Sequence, residues 1–211
     1  MRRKFLTRWI TSYILGALVA VVATIVLTPL MFVAAVGSGG LGAWLWSMMV
    51  AVPFGASASF FQVLLLDMEP ELTFRWVVLS SIGWASGATA AVALPELTPL
   101  DSMSPAIWYL FWLLLGLCVG TAQWLALPRH ANSVLWIAVS LAASMSAALT
   151  SPISGSVLAA LASLVPFPQD LSFASYLLET GLFVAAVVLI YSLITGIGFT
   201  LVYRPKLPGA A

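Results

Sequence analysis

The chain has 211 residues, of which 62% are apolar and 7% are charged, and its mean hydropathy is +1.09. Soluble domains carry about 25% charged residues, so this composition excludes a soluble globular protein and requires lipid as the solvent. The basic residues form no stripe, which gives no indication of a nucleic-acid partner, and a single cysteine excludes an intrachain disulfide.

The hydropathy pattern predicts one all-α domain over residues 1–211, an integral membrane bundle of six transmembrane helices. The predicted spans cover about residues 9–36, 41–66, 74–94, 106–127, 133–150 and 175–203. Each approaches or exceeds the roughly 20 residues that a spanning helix needs. The apolar stretch 153–165 is shorter, and we expect a separate short helix there, lying on the outer surface or re-entering the membrane.

The charges orient these spans. With six spans, every Lys and Arg falls on one side: Arg2, Arg3, Lys4, Arg8, Arg75, Arg129, Arg204 and Lys206. The connections on the other side carry only acids, namely Glu96, Asp101, Asp170 and Glu179. This positive-inside pattern predicts cytoplasmic N- and C-termini, in the cytoplasmic (inner) membrane of a prokaryote, with membrane lipid as a partner. An aromatic belt is expected at the inner boundary from Trp9, Trp76, Trp124 and Trp136.

Spans two and four carry the same pattern of small residues and one glutamine. Span two contains Gly55-x-x-x-Ser59-x-x-Gln62-Val63-Leu64, and span four contains Gly116-x-x-x-Gly120-x-x-Gln123-Trp124-Leu125. These spacings place the small residues and the glutamine on one face of each helix. Small residues on such a face permit close helix packing.

The similarity continues into the next spans. Trp76, Ser80, Gly83 and Gly87 of span three match Trp136, Ser140, Ala143 and Ala147 of span five. We therefore predict a parallel two-helix repeat (spans 2–3 and 4–5), related by a pseudo-two-fold axis along the membrane normal. The same spacing recurs, less closely, in span one, at Gly16, Ala20 and Ala23, and in span six, at Ser192, Gly196 and Phe199.

The repeat places Gln62 and Gln123 at matching depth, facing the bundle interior. In one interpretation each amide bonds a neighbouring helix and fixes the packing. In the other, the pair lines a polar pocket open toward the cytoplasm, with Trp124 and Glu179 as further candidate binding residues. Glu179 is the ionisable residue closest to the centre of a span, and it acts either as an interfacial or capping carboxylate or as a ligand.

The segment Gly116 to Leu127, its partner copy Gly55 to Leu66 and the ending Ile194-Thr195-Gly196-Ile197-Gly198-Phe199 carry a resemblance to a known group. The chain resembles uncharacterised bacterial multi-pass membrane proteins with repeated G-x-x-x-G-x-x-Q-W-L motifs followed by a basic turn. Span two departs from that motif, with Ser59 for glycine and Val63 for tryptophan. The resemblance implies a six-helix fold and no particular activity.

The spans lack an ionisable residue near their centres, and their hydroxyl groups have no His or Lys at matching depth, which a serine hydrolase would need. We therefore predict no catalytic residue, no metal site and no cofactor. The favoured function is a non-enzymatic accessory or scaffold subunit of a larger complex, with other membrane subunits as partners. The alternative is a small-solute transporter or substrate-binding subunit of unknown ligand, similar in architecture to the S components of energy-coupling-factor transporters.

Overall fold

In a computed structural model the chain folds into six α-helices: α1 (Arg2–Ser38), α2 (Leu41–Leu66), α3 (Pro70–Leu97), α4 (Pro105–Ala126), α5 (Leu135–Leu164) and α6 (Ser172–Val202). The structure describes the backbone of residues 2–38, 41–66, 70–97, 104–127, 133–164 and 172–202. It describes side chains mainly within 4–27, 51–66, 72–94, 104–127, 133–150 and 185–202. No strand occurs in these ranges, so the predicted all-α class is confirmed.

Four helical segments are long and apolar enough to cross a membrane: Lys4–Leu27, Leu72–Leu94, Pro105–Ala126 and Ala185–Val202. Two further apolar segments, Ala51–Leu66 and Leu135–Thr150, are shorter within the described residues. Large apolar side chains face outward from the bundle, among them Phe74, which is 73% exposed. A surface of this kind suits lipid, and the chain is a membrane protein.

The helices form a closed ring in chain order. Among the described residues each helix contacts its chain neighbours, and α1 contacts α6. Neighbouring helices are antiparallel, because Gly116 of α4 faces Ser144 of α5 whereas Gly120, further along α4, faces the earlier Ser140. The contacts of Gly55 with Trp84 and of Gln62 with Trp76 give the same result for α2 and α3. Because direction alternates around the ring, α2 and α4 run the same way.

The prediction of a separate short helix near 153–165 is wrong, because α5 continues from Leu135 to Leu164 without a break at Pro152. Proline lacks a backbone N–H, so Pro152 leaves the carbonyl of Ala148 without its partner in the helix. The indole Nε1 of Trp108, on α4, donates to that carbonyl oxygen at 3.2 Å. The acceptor freed by proline is therefore satisfied by the preceding helix, α4, and α5 need not end there.

We expect Trp108→Phe to cost about 1 kcal/mol of stability, the usual contribution of one hydrogen bond. In a Pro152→Ala background the same substitution should cost less, since the N–H of residue 152 then takes the Ala148 carbonyl. Unfolding of the purified protein in mixed micelles by titration with a denaturing detergent measures both costs. Equal costs in the two backgrounds would show that Trp108 does not compensate for the proline.

Other helix boundaries also differ from the predicted spans, most of all in α1 and α3. α1 begins at Arg2 rather than near residue 9, and α3 extends from Pro70 to Leu97 rather than from 74 to 94. A proline in the first turn of a helix is tolerated because the N–H it lacks has no intrahelical acceptor there. α1 and α3 are therefore longer than their apolar runs, since a polar helix end adds no apolar residues to the hydropathy pattern.

Candidate functional site

Two glutamine–tryptophan pairs join neighbouring helices in the bundle interior. Trp76 of α3 donates its indole N–H to Oε1 of Gln62 on α2, at 2.8 Å. Trp136 of α5 donates in the same way to Oε1 of Gln123 on α4, at 3.1 Å. Both glutamines are 1% exposed and both tryptophans are 0% exposed. Each amide thus accepts a buried hydrogen bond that links its helix to the next one in the chain.

A third pair of this kind links the last helix to the first. Trp9 of α1 donates its indole N–H to Oγ1 of Thr195 on α6, at 3.1 Å, and both side chains are fully buried. Around the ring, α2, α4 and α6 therefore each supply one acceptor, and the donors are tryptophans of α3, α5 and α1 respectively. In the weak sequence similarity of α6, Phe199 corresponds to the glutamines. In the structure the acceptor on α6 is Thr195 instead.

The three tryptophans and Phe199 form one aromatic cluster, which we name the tryptophan layer. The ring centroids of Trp9, Trp76 and Trp136 lie 6.1–6.5 Å from one another, and Phe199 lies 4.7–5.8 Å from each. The assignment of Trp9, Trp76 and Trp136 to an aromatic belt at the lipid boundary is therefore wrong. A tryptophan can be fully buried when its N–H finds an acceptor, and here each of the three does.

The second polar group of each glutamine has a different environment. Nε2 of Gln123 donates to Oγ of Ser80 on α3, at 3.1 Å, so both ends of this amide are bonded. Nε2 of Gln62 is buried and has no hydrogen-bond partner. The hydroxyl of Tyr13 lies beside Gln62, Thr195 and Gln123, near the centre of the bundle. The two glutamines predicted as equivalent are thus bonded to different extents.

Two arginines satisfy helix carbonyls at the end of the bundle where α1 begins. Arg8 Nη1 donates to the Leu65 carbonyl at 3.2 Å, and Arg75 Nη2 donates to the Leu125 carbonyl at 2.8 Å. These carbonyls belong to the last turns of α2 and α4, where carbonyl oxygens lack N–H donors within their own helix and carry partial negative charge. Each arginine directly precedes a tryptophan of the layer in sequence.

The other candidate binding residues lie elsewhere. Trp124 is half-buried, and its indole N–H donates to Oγ of Ser133 at 3.1 Å, at the start of the following helical segment. It packs against the edge of the core and is not a member of the tryptophan layer. Glu179 lies outside the residues whose side chains are described.

The small residues of the repeated pattern lie at close helix contacts. A Cβ added at any of these glycines would meet a neighbouring helix within 3.0 Å: Trp84 for Gly55, Ala122 and Val119 for Gly83, Leu115 for Gly87, Ser144 for Gly116 and Ser140 for Gly120. Ser59 is buried, and its hydroxyl donates to the carbonyl of Gly55 in its own helix. The face predicted for packing therefore packs against the neighbouring helices.

The described interior offers neutral hydrogen-bonding chemistry from amide, indole and hydroxyl groups. Within the described residues, no group of three or more His, Cys, Asp or Glu side chains could hold a metal ion. Compared with known proteins, the chain matches no protein-family model, no curated protein and no solved structure.

Proposed function

We propose that this protein is a non-enzymatic accessory or scaffold subunit of a larger membrane complex, with other membrane subunits as its partners. The proposal rests on the hydrogen bonds that the buried glutamine amides make with neighbouring helices. Gln62 and Gln123, the polar groups best suited to bind a substrate, both accept indole N–H groups from neighbouring helices. Polar groups used in this way fix the packing of a bundle.

We also propose that α2–α3 and α4–α5 are two copies of one repeat. The glutamine–tryptophan bond supports this, since it recurs with donor and acceptor 14 residues apart in one unit and 13 apart in the other. The two separations differ by one because the glutamines are 61 residues apart in the sequence and the tryptophans 60. The common direction of α2 and α4 agrees with a pseudo-two-fold axis along the membrane normal.

The proposed topology has six spans in the cytoplasmic membrane of a prokaryote, with both termini inside. Cysteine labelling tests it in a Cys118→Ala background, which removes the native thiol. With a reagent that does not cross the membrane, we expect labelling of Ser102→Cys and Gln169→Cys in intact cells. Asn132→Cys should react only after the cells are opened. Labelling of Asn132→Cys from outside would refute this topology.

Purification tests the scaffold role directly. The chain, tagged at its native gene and extracted in mild detergent, should copurify with one membrane partner in constant stoichiometry through size exclusion. An unrelated multi-pass protein, tagged in the same cells, is the matched control for non-specific association. Native mass spectrometry then gives the mass of the complex. A lone monomer at native expression would contradict the proposal.

A solute-binding subunit is the second candidate, and one observation favours it. Among the described residues six buried side-chain polar atoms have no hydrogen-bond partner, and three of them, Gln62 Nε2, Ser140 Oγ and Tyr191 Oη, lie on α2, α5 and α6. Buried polar groups are nearly always bonded, so such a set indicates a site that accepts a polar partner.

A further inference from the structure

One exposed face of α1 changes from cationic to apolar along the helix. Its residues follow one another at spacings of three or four, which keeps them on one side of the helix. They are Lys4, Arg8, Thr11, Ile14, Leu18 and Val22, and all six side chains are exposed. We name this face the α1 stripe. The two cations lie at its beginning, and the last three side chains, 40%, 58% and 61% exposed, are apolar.

The two cations of the α1 stripe lie one turn apart on a helix without acids. Like charges four residues apart on a helix repel each other, and the first Asp or Glu of the chain is Asp67, beyond the end of α2. Arg8 Nη1 donates to the Leu65 carbonyl at 3.2 Å, which holds the guanidinium at the end of α2. A guanidinium has five N–H donors, so it can bind further acceptors beside this carbonyl. Lys4 and Arg8 therefore favour an anion that both can contact.

The corresponding turn of α3 carries no such excess of positive charge. Arg75 makes the same kind of bond as Arg8, to the Leu125 carbonyl at 2.8 Å, and it is also exposed. One turn earlier, where α1 has Lys4, α3 has the acid Glu71. The formal charges of this turn therefore cancel. The bond from an arginine to a helix carbonyl does not require a second cation, so the excess charge on α1 calls for a separate explanation.

We propose that the α1 stripe binds one anionic phospholipid, with the phosphate between Lys4 and Arg8 and an acyl chain along Ile14 and Leu18. Ammonium and guanidinium groups both bind phosphate, and arginine does so through paired N–H groups. At about 1.5 Å per residue, Ile14 and Leu18 lie about 9 and 15 Å beyond Arg8. One leaflet contains roughly 15 Å of hydrocarbon, so both side chains are within reach of the same lipid. The proposed topology makes this the cytoplasmic leaflet, whose surface potential is negative.

Phosphatidylglycerol is the probe, and phosphatidylcholine, which has the same phosphate but no net charge, is the control lipid. Native mass spectrometry of the purified protein in mild detergent, titrated with each lipid, should show one bound phosphatidylglycerol at concentrations where phosphatidylcholine is not retained. Arg8→Gln should weaken the apparent affinity at least about tenfold, the ratio for one lost hydrogen bond to a charged group. Lys4→Gln should weaken it about fivefold, the ratio for one cation near an anionic membrane surface.

Arg75→Gln is the control variant, because it removes an equivalent bond from an exposed arginine to a helix carbonyl. It should bind phosphatidylglycerol as the wild type does. If Arg8→Gln does not accumulate, Lys4→Gln and Arg75→Gln still provide the comparison. Equal losses of affinity in Arg75→Gln and Arg8→Gln would reveal diffuse attraction to the positive end of the bundle and would overturn the proposal.

Two further outcomes would also overturn the lipid site. One is equal retention of phosphatidylglycerol and phosphatidylcholine. The other is an increase in melting temperature with inorganic phosphate as large as that with phosphatidylglycerol, which would indicate a site for a free anion. The site needs no partner subunit, and these measurements use the isolated chain in detergent. Their failure is therefore distinguishable from the absence of a partner and from an error in the proposed topology.

Discussion

Replacing Gly16 with leucine should separate α1 from α2 and prevent the bundle from folding. A Cβ at residue 16 would lie 2.6 Å from the backbone nitrogen of Ala58, and the neighbouring backbone cannot move without displacing the whole of α2. Overpacking against side chains costs about 1–3 kcal/mol, and a contact with backbone should cost more than about 3 kcal/mol. This is the largest effect that we expect from one substitution.

Val19→Leu is the matched control, because it enlarges a side chain on the same helix that is 45% exposed. The fraction of monodisperse protein after extraction and the melting temperature of that fraction measure the outcome. We expect the control to match wild type and Gly16→Leu to be lost or to melt far lower. A Gly16→Leu protein with the wild-type melting temperature would show that α1 and α2 do not pack at this glycine.

Gln123→Leu should destabilise the protein about twice as much as Gln62→Leu. Interhelical hydrogen bonds in membrane bundles contribute about 0.6–2 kcal/mol each. Leucine at 123 removes two of them, from Trp136 and to Ser80, whereas leucine at 62 removes only the bond from Trp76. At 62 it also removes an amide nitrogen that has no partner, and this offsets part of the loss.

The free energies of unfolding in mixed micelles give this comparison, with the two leucine variants measured under identical conditions. Since the residues change in the same way and both sites are 1% exposed, each variant is the control of the other. A larger loss of stability for Gln62→Leu than for Gln123→Leu would show that the number of hydrogen bonds does not determine how much each amide contributes to stability.

Features that depend on local sequence could be predicted from the chain. Helical class follows from long apolar runs, and the small residues at positions such as Gly116 and Gly120 indicate a packing face because they recur at helical spacing. Burial of Gln62 and Gln123 follows from the same spacing, since they share that face. These inferences require no knowledge of which helices meet.

Features that depend on contacts between distant helices were missed. The acceptor of Trp9 lies 186 residues away on α6, and no local pattern indicates that the first and last helices close a ring. Tryptophan near a span end favours an interfacial belt, so Trp76 and Trp136 were predicted at the lipid boundary rather than in the core. Their distances from the glutamines, 14 and 13 residues, are the signal that could have revealed the pairing.

Pro152 shows the same limit for a helix boundary. Proline removes a helix hydrogen bond, and this predicts that span five ends beside it. The compensating donor, Trp108, is 40 residues from Ala148 in sequence and lies on another helix. The continuity of α5 therefore depends on a tertiary contact that the local sequence does not contain.

A double-mutant cycle between Gln123 and Trp136 tests most directly that the interior amides fix helix packing. Gln123→Leu, Trp136→Phe and the double variant are compared with wild type by their free energies of unfolding. Loss of one partner leaves the other buried and unpaired, so we expect the double variant to lose at least about 1 kcal/mol less than the sum of the single losses. Losses that add within about 0.5 kcal/mol would contradict the role of this bond in the bundle.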